Sequence, residues 1–367
     1  MLDLKTMFAH QLPGSYSRSL CPEQQPLVSV ITPVYNGEEF LAECIESVLA
    51  QAYPNWDYTI VNNCSTDRTL EIAQAYAAKD PRIRVHSNEQ FASILQNHNI
   101  ALRQISRHSK YCKVLFADDW LFPQCLMEMV RVAEAHPSIG IVGAYGIDGE
   151  EVLWDGLPYP STFLLGRDLA RKSLLGGPYV FGTPTSLLLR SDFVRARQSF
   201  YNESNIHADH DACYEVLQGA DFGFVHQVLT FSRRRPESHD AAARRIDSHP
   251  LGGLTALVAY GPIYLTREEY DARLQHRLKY YYQKLAKNFL RLRGKEFWEF
   301  HRTRLAAIGH PLDRMRLTKA VVSEILLSLS RPLDALDGVA KWWPGAMSKT
   351  QKVHSPYPTK DHESSAK

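Results

Sequence analysis

Lys113-Val114-Leu115-Phe116-Ala117-Asp118-Asp119-Trp120 is the stretch on which the fold of this chain turns. A short, β-rich apolar run bounded by polar residues has the pattern of a buried strand, and here it ends in two adjacent carboxylates. Open α/β sheets bind ligands outside the carboxyl ends of their strands, so such a strand delivers charge to a binding edge. Paired hard oxygens at that edge suit Mg²⁺ or Mn²⁺, metals that commonly bridge to substrate phosphates. The competing reading is a strand followed by an acidic helix cap, because Asp is a good N-cap.

Outward from this stretch, strand and helix signals alternate. Upstream, Leu27 to Thr32, Asp57 to Val61 and Arg82 to His86 read as strands. Between them Phe40, Leu41, Cys44, Ile45, Val48 and Leu49 share one helical face, and Leu70, Ile72, Ala73 and Tyr76 continue a second helix behind the capping types Ser65, Thr66 and Asp67. Ile94 to Ile105 reads as a third helix, and Cys112 to Ala117 is the strand quoted above. Downstream come a helix over Gln124 to His136 and a strand over Ile139 to Ala144. Regular alternation predicts an α/β fold with a mostly parallel sheet covered by helices on both faces.

The pattern loosens over residues 145 to 180, which are rich in Gly, Pro and aromatics. A strand at Ser186 to Arg190, a helix at Asp209 to Leu217 and a strand at Phe222 to Phe231 follow, the last running into Arg233-Arg234-Arg235. From about residue 262 long basic helical stretches take over, including Glu268 to Leu292 and Leu317 to Leu329. The expected organisation is a mobile arm over 1–25, a catalytic domain over 26–261 divided near 145, a basic helical extension over 262–345 and a disordered tail over 346–367.

The composition of the 367 residues is that of a globular protein, and a formal charge of +2 argues against a dedicated nucleic-acid binder. Six scattered cysteines form no CxxC pair and read as reduced core residues of a cytoplasmic protein. There is no basic-then-apolar leader pattern at the start and no run of about eighteen apolar residues, so no membrane span is expected.

Two further turns carry chemistry. The first strand ends in Thr32-Pro33-Val34-Tyr35-Asn36-Gly37, and the second in Val61-Asn62-Asn63-Cys64-Ser65-Thr66-Asp67. Neighbouring polar turns at the carboxyl ends of parallel strands form one crevice, and a helix N-terminus there offers free N–H groups to an anion. Asn62 has an amide that can both donate to and accept from a base edge. Ser65 and Asp67 are more simply turn and cap residues.

Val28-Ser29-Val30-Ile31-Thr32-Pro33-Val34-Tyr35-Asn36, followed by Ser47-Val48-Leu49-Ala50-Gln51, resembles the opening of glycosyltransferase family 2. Val61 to Thr69 is similar to that family's second-strand motif, and Phe116-Ala117-Asp118-Asp119 sits where the family keeps its metal-binding aspartates. The resemblance covers about residues 26 to 145 well and loosens to about 240. It implies a GT-A fold, which is Rossmann-like, a nucleotide-sugar donor, a divalent metal and inverting transfer to a carbohydrate, lipid-linked or other hydroxyl acceptor.

Carried over by position, the resemblance implies that Pro33, Tyr35 and Asn62 line the nucleoside pocket, with Asn36 and Asn99 also counted among the donor contacts. Asp118 and Asp119 would hold the ribose and the metal-diphosphate. His207-Ala208-Asp209-His210-Asp211 occupies the place of the family's later acid, so Asp209 is the candidate general base; a helix N-cap is the alternative. Asn62 stands where many members have an acid, and its amide oxygen can still accept from a pyrimidine N–H, which is compatible with a UDP-sugar. Phe116 stands where many have the first acid of Asp-x-Asp, which shifts weight to Asp118 and Asp119. Arg235 takes the place of a late His near the diphosphate, and His239 lies four residues on as a candidate metal ligand; an exposed basic loop is the third reading.

By the same resemblance Tyr179 and Phe181 fall where family members form the acceptor site, and aromatics can stack on sugar faces there, although core packing explains either alone. The basic C-terminal helices, with Trp342-Trp343 beyond them, fit either a cap packed on the catalytic domain or a peripheral contact with an anionic membrane. Two rival functions stay open: a catalytically weak nucleotide-sugar-binding protein, and a membrane-docking scaffold that retains the fold.

Overall fold

The computed structural model describes residues 25–234 and 243–330. Cys21, Arg235, His239, Trp342-Trp343, the expected arm up to residue 24 and the expected tail lie outside them.

In chain order the elements are β1 (Val28–Val34), α1 (Leu41–Leu49), β2 (Trp56–Asn62), α2 (Thr69–Ala77), β3 (Ile83–Ser87), α3 (Ile94–Leu102) and β4 (Tyr111–Val114). Then come β5 (Trp120–Leu121), α4 (Cys125–Ala135), β6 (Ile139–Asp148), β7 (Glu151–Leu153), β8 (Phe163–Leu164) and α5 (Gly166–Leu174). β9 (Leu188–Arg190), α6 (Ser191–Arg195), α7 (Ala208–Val216), β10 (Asp221–Ser232), α8 (His249–Tyr264), α9 (Arg267–Leu290), α10 (Lys295–Ala307) and α11 (Arg314–Ser330) complete the order.

The main sheet runs β3-β2-β1-β4-β9-β6-β10-β5, with β7 beside β6 and β8 beside β10. β1 pairs in parallel with β2 and β4, β2 with β3, and β6 with β10. The six long strands therefore share one direction, as expected of an α/β fold. β9 alone interrupts them, antiparallel to both β4 and β6. The order grows outward from β1 in both directions, so a topological switch point lies where the chain leaves β1 and β4.

Every residue of β1 is buried, because helices cover both faces of a parallel sheet. α1 turns Leu41, Cys44, Ile45 and Val48 onto that core, the face its periodicity predicts. Each such side chain contributes about 1.5–3 kcal/mol by leaving water. Lys113 is not the polar boundary of its strand. It is fully buried on β4 with Nζ 3.5 Å from Met129 Sδ, and burial holds its amine below the ordinary lysine value.

The strand ends earlier than its apolar run suggests. The ladder closes with Leu115 N–H donating to Ile31 O (2.9 Å), and residues 116–119 form a turn fastened by Asp119 N–H to Phe116 O (3.0 Å). α4 begins only at Cys125, with Gln124 at its N-cap, so Asp118 and Asp119 cap no helix.

The chain divides into two units, one running to Tyr281 and including Glu296–Pro311, the other made of Tyr282–Lys295 and the residues from Leu312 on. Residue 262, where the sequence places a boundary, lies inside α8, whereas the division between the units falls after Tyr281, inside α9. α8 is fastened to the sheet-bearing unit by Tyr260 Oη donating to Glu215 (3.0 Å) and Tyr264 Oη donating to Tyr214 O. Among the described residues no helix is long and apolar enough to cross a membrane.

Candidate active site

The turns after β1 and β2 are stitched together. Asn36 has φ 48°, a left-handed conformation that Asn tolerates, and its Oδ1 accepts from Thr66 N–H (2.8 Å). Its own N–H donates to Ser65 Oγ (3.0 Å), and Gly37 N–H donates to Thr69 Oγ1 (2.7 Å). Asp67 accepts from the N–H groups of Glu38 and Thr69, both at 3.0 Å. Desolvation works against the Asp67 charge, but hydrogen bonds from Thr69 and from the Glu38 N–H outweigh it and lower its pKa. Ser65, Thr66 and Asp67 thus join two turns into one rim.

Pro33 is buried within β1, while Tyr35 stands 49% exposed on the rim, edge-on to Phe91 at 4.9 Å. Asn62 is buried; its Oδ1 accepts from Ser65 N–H (3.2 Å) and its Nδ2 donates to Ser87 (3.5 Å), which leaves one N–H of that amide to offer. Asn63 was not singled out from sequence. It pins the loop after β3, accepting from Ala92 N–H and Asn88 Nδ2 and donating to Ala92 O.

Asp119 is the buried centre of the carboxylate turn. Oδ2 accepts from Thr185 Oγ1 (2.6 Å) and Ser232 Oγ (3.3 Å), and Oδ1 accepts from Arg233 N–H (3.0 Å). Burial and the adjacent Asp118 carboxylate push its pKa up to about 7 against these donors. Asp118 is more accessible, at intermediate exposure. Arg233 ties the turn to the end of β10 and to α1, donating through Nε to Asp118 O (3.2 Å) and through Nη2 to Glu43 (2.6 Å) while its guanidinium lies 4.3 Å from the Phe40 ring. Sequence reading passed over Arg233 as part of a basic run, because its partners lie 114 and 190 residues away. Phe116, in the place of an acid, stacks on His98 at 5.1 Å.

The second acidic centre sits at the start of α7. His207 is the N-cap of this helix and makes no side-chain cap bond, so Asp209 is a first-turn residue and not the cap. Asp209 is partly exposed and lines a cavity of about 10 Å³ with Gly182, Pro184, Phe200, Tyr201 and Cys213. Asp211 is buried and accepts from Asn205 Nδ2 (2.7 Å), and burial raises its pKa. Burial and the neighbouring His210 hold His207 down to about 4, so its imidazole is neutral beside Ser248 Oγ (3.2 Å). Of the two acids, Asp209 is therefore the more accessible.

One turn connects the two centres. Pro184 lines the Asp209 cavity, while the hydroxyl of the next residue, Thr185, donates to Asp119 and accepts from Phe116 N–H (3.3 Å). Asn99 supports the same region from below. It is buried, brackets the backbone of Tyr201 through Oδ1 (2.9 Å) and Nδ2 (2.8 Å), and reaches Glu203 (3.1 Å). Both polar ends of its amide are thus engaged within the protein. Phe181 is core, set at right angles to Tyr214 and Phe222. Tyr179 is at the surface, its hydroxyl donating to Gly182 O (3.0 Å) and its ring 4.6 Å from His210.

The oxygen donors of Asp118 and Asp119 fit Mg²⁺ or Mn²⁺. Among the described residues no group of three or more His, Cys, Asp or Glu forms a closed metal cage. A hard cation there would depend on phosphate oxygens and water for the rest of its shell, the common arrangement for Mg²⁺.

The family model described as glycosyl transferase family 2 matches residues 29–197. The putative glycosyltransferase EpsE of Bacillus subtilis is 32% identical over 158 residues, covering 41% of this chain and 56% of that one. The chain spans less than two thirds of the length of the curated relatives it matches first. Among solved structures, S. aureus TarS 1-349 in complex with UDP-GlcNAc superposes with a TM-score of 0.57 at 18% identity, over 77% of this chain and 80% of that one. The mannosyltransferase PcManGT of Pyrobaculum calidifontis, in complex with GDP-Man and Mn²⁺, does so with 0.50 at 13% identity, over 90% and 88%. At these identities the likeness establishes a shared GT-A-like fold. The match to glycosyl transferase family 2 covers residues 29–197, the stretch that builds the sheet edge and the turn bearing Asp118 and Asp119.

Proposed function

We propose that the chain is an inverting glycosyltransferase that moves a sugar from a nucleotide-diphosphate donor, a UDP-sugar, to the hydroxyl of a carbohydrate or lipid-linked acceptor. The observation that carries this reading is the 183–186 turn, which holds Asp119 through Thr185 and borders Asp209 through Pro184. Sugar transfer needs two such centres side by side, one at the leaving diphosphate and one at the acceptor.

In this reading the nucleoside lies against the rim formed by Pro33, Tyr35, Asn36 and Asn62, with Tyr35 offering an exposed ring to stack. Asp118 and Asp119 hold a divalent cation, which when bound neutralises the diphosphate as a Lewis acid. The Asp209 carboxylate takes the proton of the acceptor hydroxyl. The acceptor oxygen bonds to the anomeric carbon as the carbon–oxygen bond to the diphosphate breaks, and that electron pair leaves with the diphosphate. Attack from the face opposite the leaving group inverts the configuration. Asn99 acts here through Tyr201, fixing the floor of the Asp209 cavity. Arg235 and His239 remain candidates for the diphosphate by chain position alone.

UDP- and GDP-sugars come to this chain by its kinship with TarS and PcManGT, whose structures hold UDP-GlcNAc and GDP-Man. A thermal-shift panel of nucleotide-sugars, with and without Mn²⁺, tests the donor. A donor at a hundred times its Kd stabilises the fold by about 2.7 kcal/mol. A melting temperature unmoved by every nucleotide-sugar, with or without metal, would contradict the proposal.

A further inference from the structure

The smaller unit differs in character from the rest of the chain. Its described residues, 282–295 and 312–330, hold eight Lys or Arg against two Asp or Glu. That is a net +6 in a chain whose total is +2, so the remainder is net negative. The same 33 residues carry eight of the eighteen large apolar side chains that stand exposed among the described residues. Cationic and apolar exposure thus coincide.

The exposure is patterned. On α11, Met315, Lys319, Val322 and Leu326 recur at i, i+4, i+7 and i+11, one stripe of a helix, and all are exposed. The packed side of the helix is different: Leu317, Val321 and Glu324 are half-buried, and Glu324 lies 3.9 Å from Lys287. The apolar stripe is therefore surplus to the packing of the unit. A lysine within such a stripe can lay its stem along apolar surface and keep its ammonium in water. After α9 the chain turns at Arg291-Leu292-Arg293. Leu292 has φ 54°, a conformation leucine disfavours, and its side chain is 87% exposed. An apolar tip is thereby presented between two arginines.

We propose that this unit docks on an anionic lipid surface, its exposed apolar side chains entering the headgroup boundary and its Lys and Arg meeting lipid phosphates. Charge complementarity selects this occupant. A second copy would bring two faces of +6 together, and a nucleic acid would leave the apolar stripe in water. With no helix able to span among the described residues, the proposed contact is peripheral. The inference rests on the smaller unit alone and stands or falls separately from the donor reading.

The test is co-sedimentation of the full chain with vesicles of phosphatidylcholine alone and of phosphatidylcholine with phosphatidylglycerol, at low and high salt. Binding should require phosphatidylglycerol and fall at least tenfold at high salt, where charges are screened. Replacing Arg314, Arg316 and Lys319 together by Gln should weaken it about a hundredfold, at roughly fivefold per cation near the surface. Leu292→Ser with Leu326→Ser should weaken it while leaving the salt dependence. Circular dichroism confirms that the variants keep the fold, and the wild-type salt series decides the matter if one does not. No binding to phosphatidylglycerol vesicles at low salt overturns the proposal, as does concentration-dependent dimerisation or binding to an RNA homopolymer in place of vesicle binding.

Discussion

Asp209 and Asp211 lie two residues apart in the first turn of one helix, yet their surroundings assign them different work. Asp211 is buried against Asn205, whereas Asp209 is partly exposed and lines a water-sized cavity. Asp209→Asn should therefore keep donor binding and lose about 10²- to 10⁴-fold in turnover, the usual effect of removing a general base. Asp211→Asn should change turnover far less; steady-state rates beside donor titrations check both, and the reverse ranking would move the role to Asp211. Lys113 calls for a different measurement. Its folded pKa lies below the ordinary 10.5 because of burial, so between those two values the unfolded chain binds a proton that the folded chain does not. Stability consequently rises with pH through that window, by up to about 1.4 kcal/mol per pH unit. Lys113→Met removes the burial penalty. The variant should unfold at higher denaturant than wild type at neutral pH, with a gap that narrows toward pH 10, and a less stable variant at neutral pH would contradict this account.

At the scale of elements, the 183–186 turn is the piece on which the two acidic centres depend. Thr185→Val keeps shape but removes the donor to buried Asp119 Oδ2. The cost should be about 1–3 kcal/mol of stability, read as a lower denaturation midpoint, together with a fall in turnover. Gly182 opens this turn at φ +70°, and a Cβ there would meet Ser186 Cβ at 2.8 Å. Gly182→Ala should accordingly destabilise and reduce turnover together, as a shifted turn displaces both centres. How far such elements are legible in sequence follows from what holds them. β1, β2 and β4 were legible because strands buried on both faces are dominated by apolar residues. α8 was not. Gly252, Gly253 and Pro262 look like helix breakers, but Gly252 lets His207 approach to where a Cβ would stand 2.4 Å from Cδ2. The Asp118-Asp119 pair announced itself, whereas the partners that shape it, Thr185, Ser232 and Arg233, are 66 to 114 residues distant and carry no local pattern. Asn99 was visible as a candidate polar residue, but its engagement with Tyr201 is a fact of tertiary structure.

For the whole molecule, the match to family 2 covers residues 29–197 and the sheet edge they build, while the regions beyond carry what that match does not reach. The Asp209 cavity is bounded by α7 and the turn after Gly182, and the smaller unit adds a cationic, apolar surface. Reading α9 and α11 as basic helices was within reach of composition, but their division between two units was not, because it depends on which helices pack together. The account's central claim is that Asp118 and Asp119 hold a metal-diphosphate while Asp209 activates the acceptor. The most direct test is release of nucleotide diphosphate from the donor that the thermal-shift panel selects, measured with Mn²⁺, with excess EDTA, and with Asp209→Asn. The account predicts turnover with Mn²⁺, a loss of orders of magnitude in EDTA that Mn²⁺ restores, and an Asp209→Asn protein that binds donor but scarcely turns over. Undiminished release in EDTA and from Asp209→Asn would contradict it.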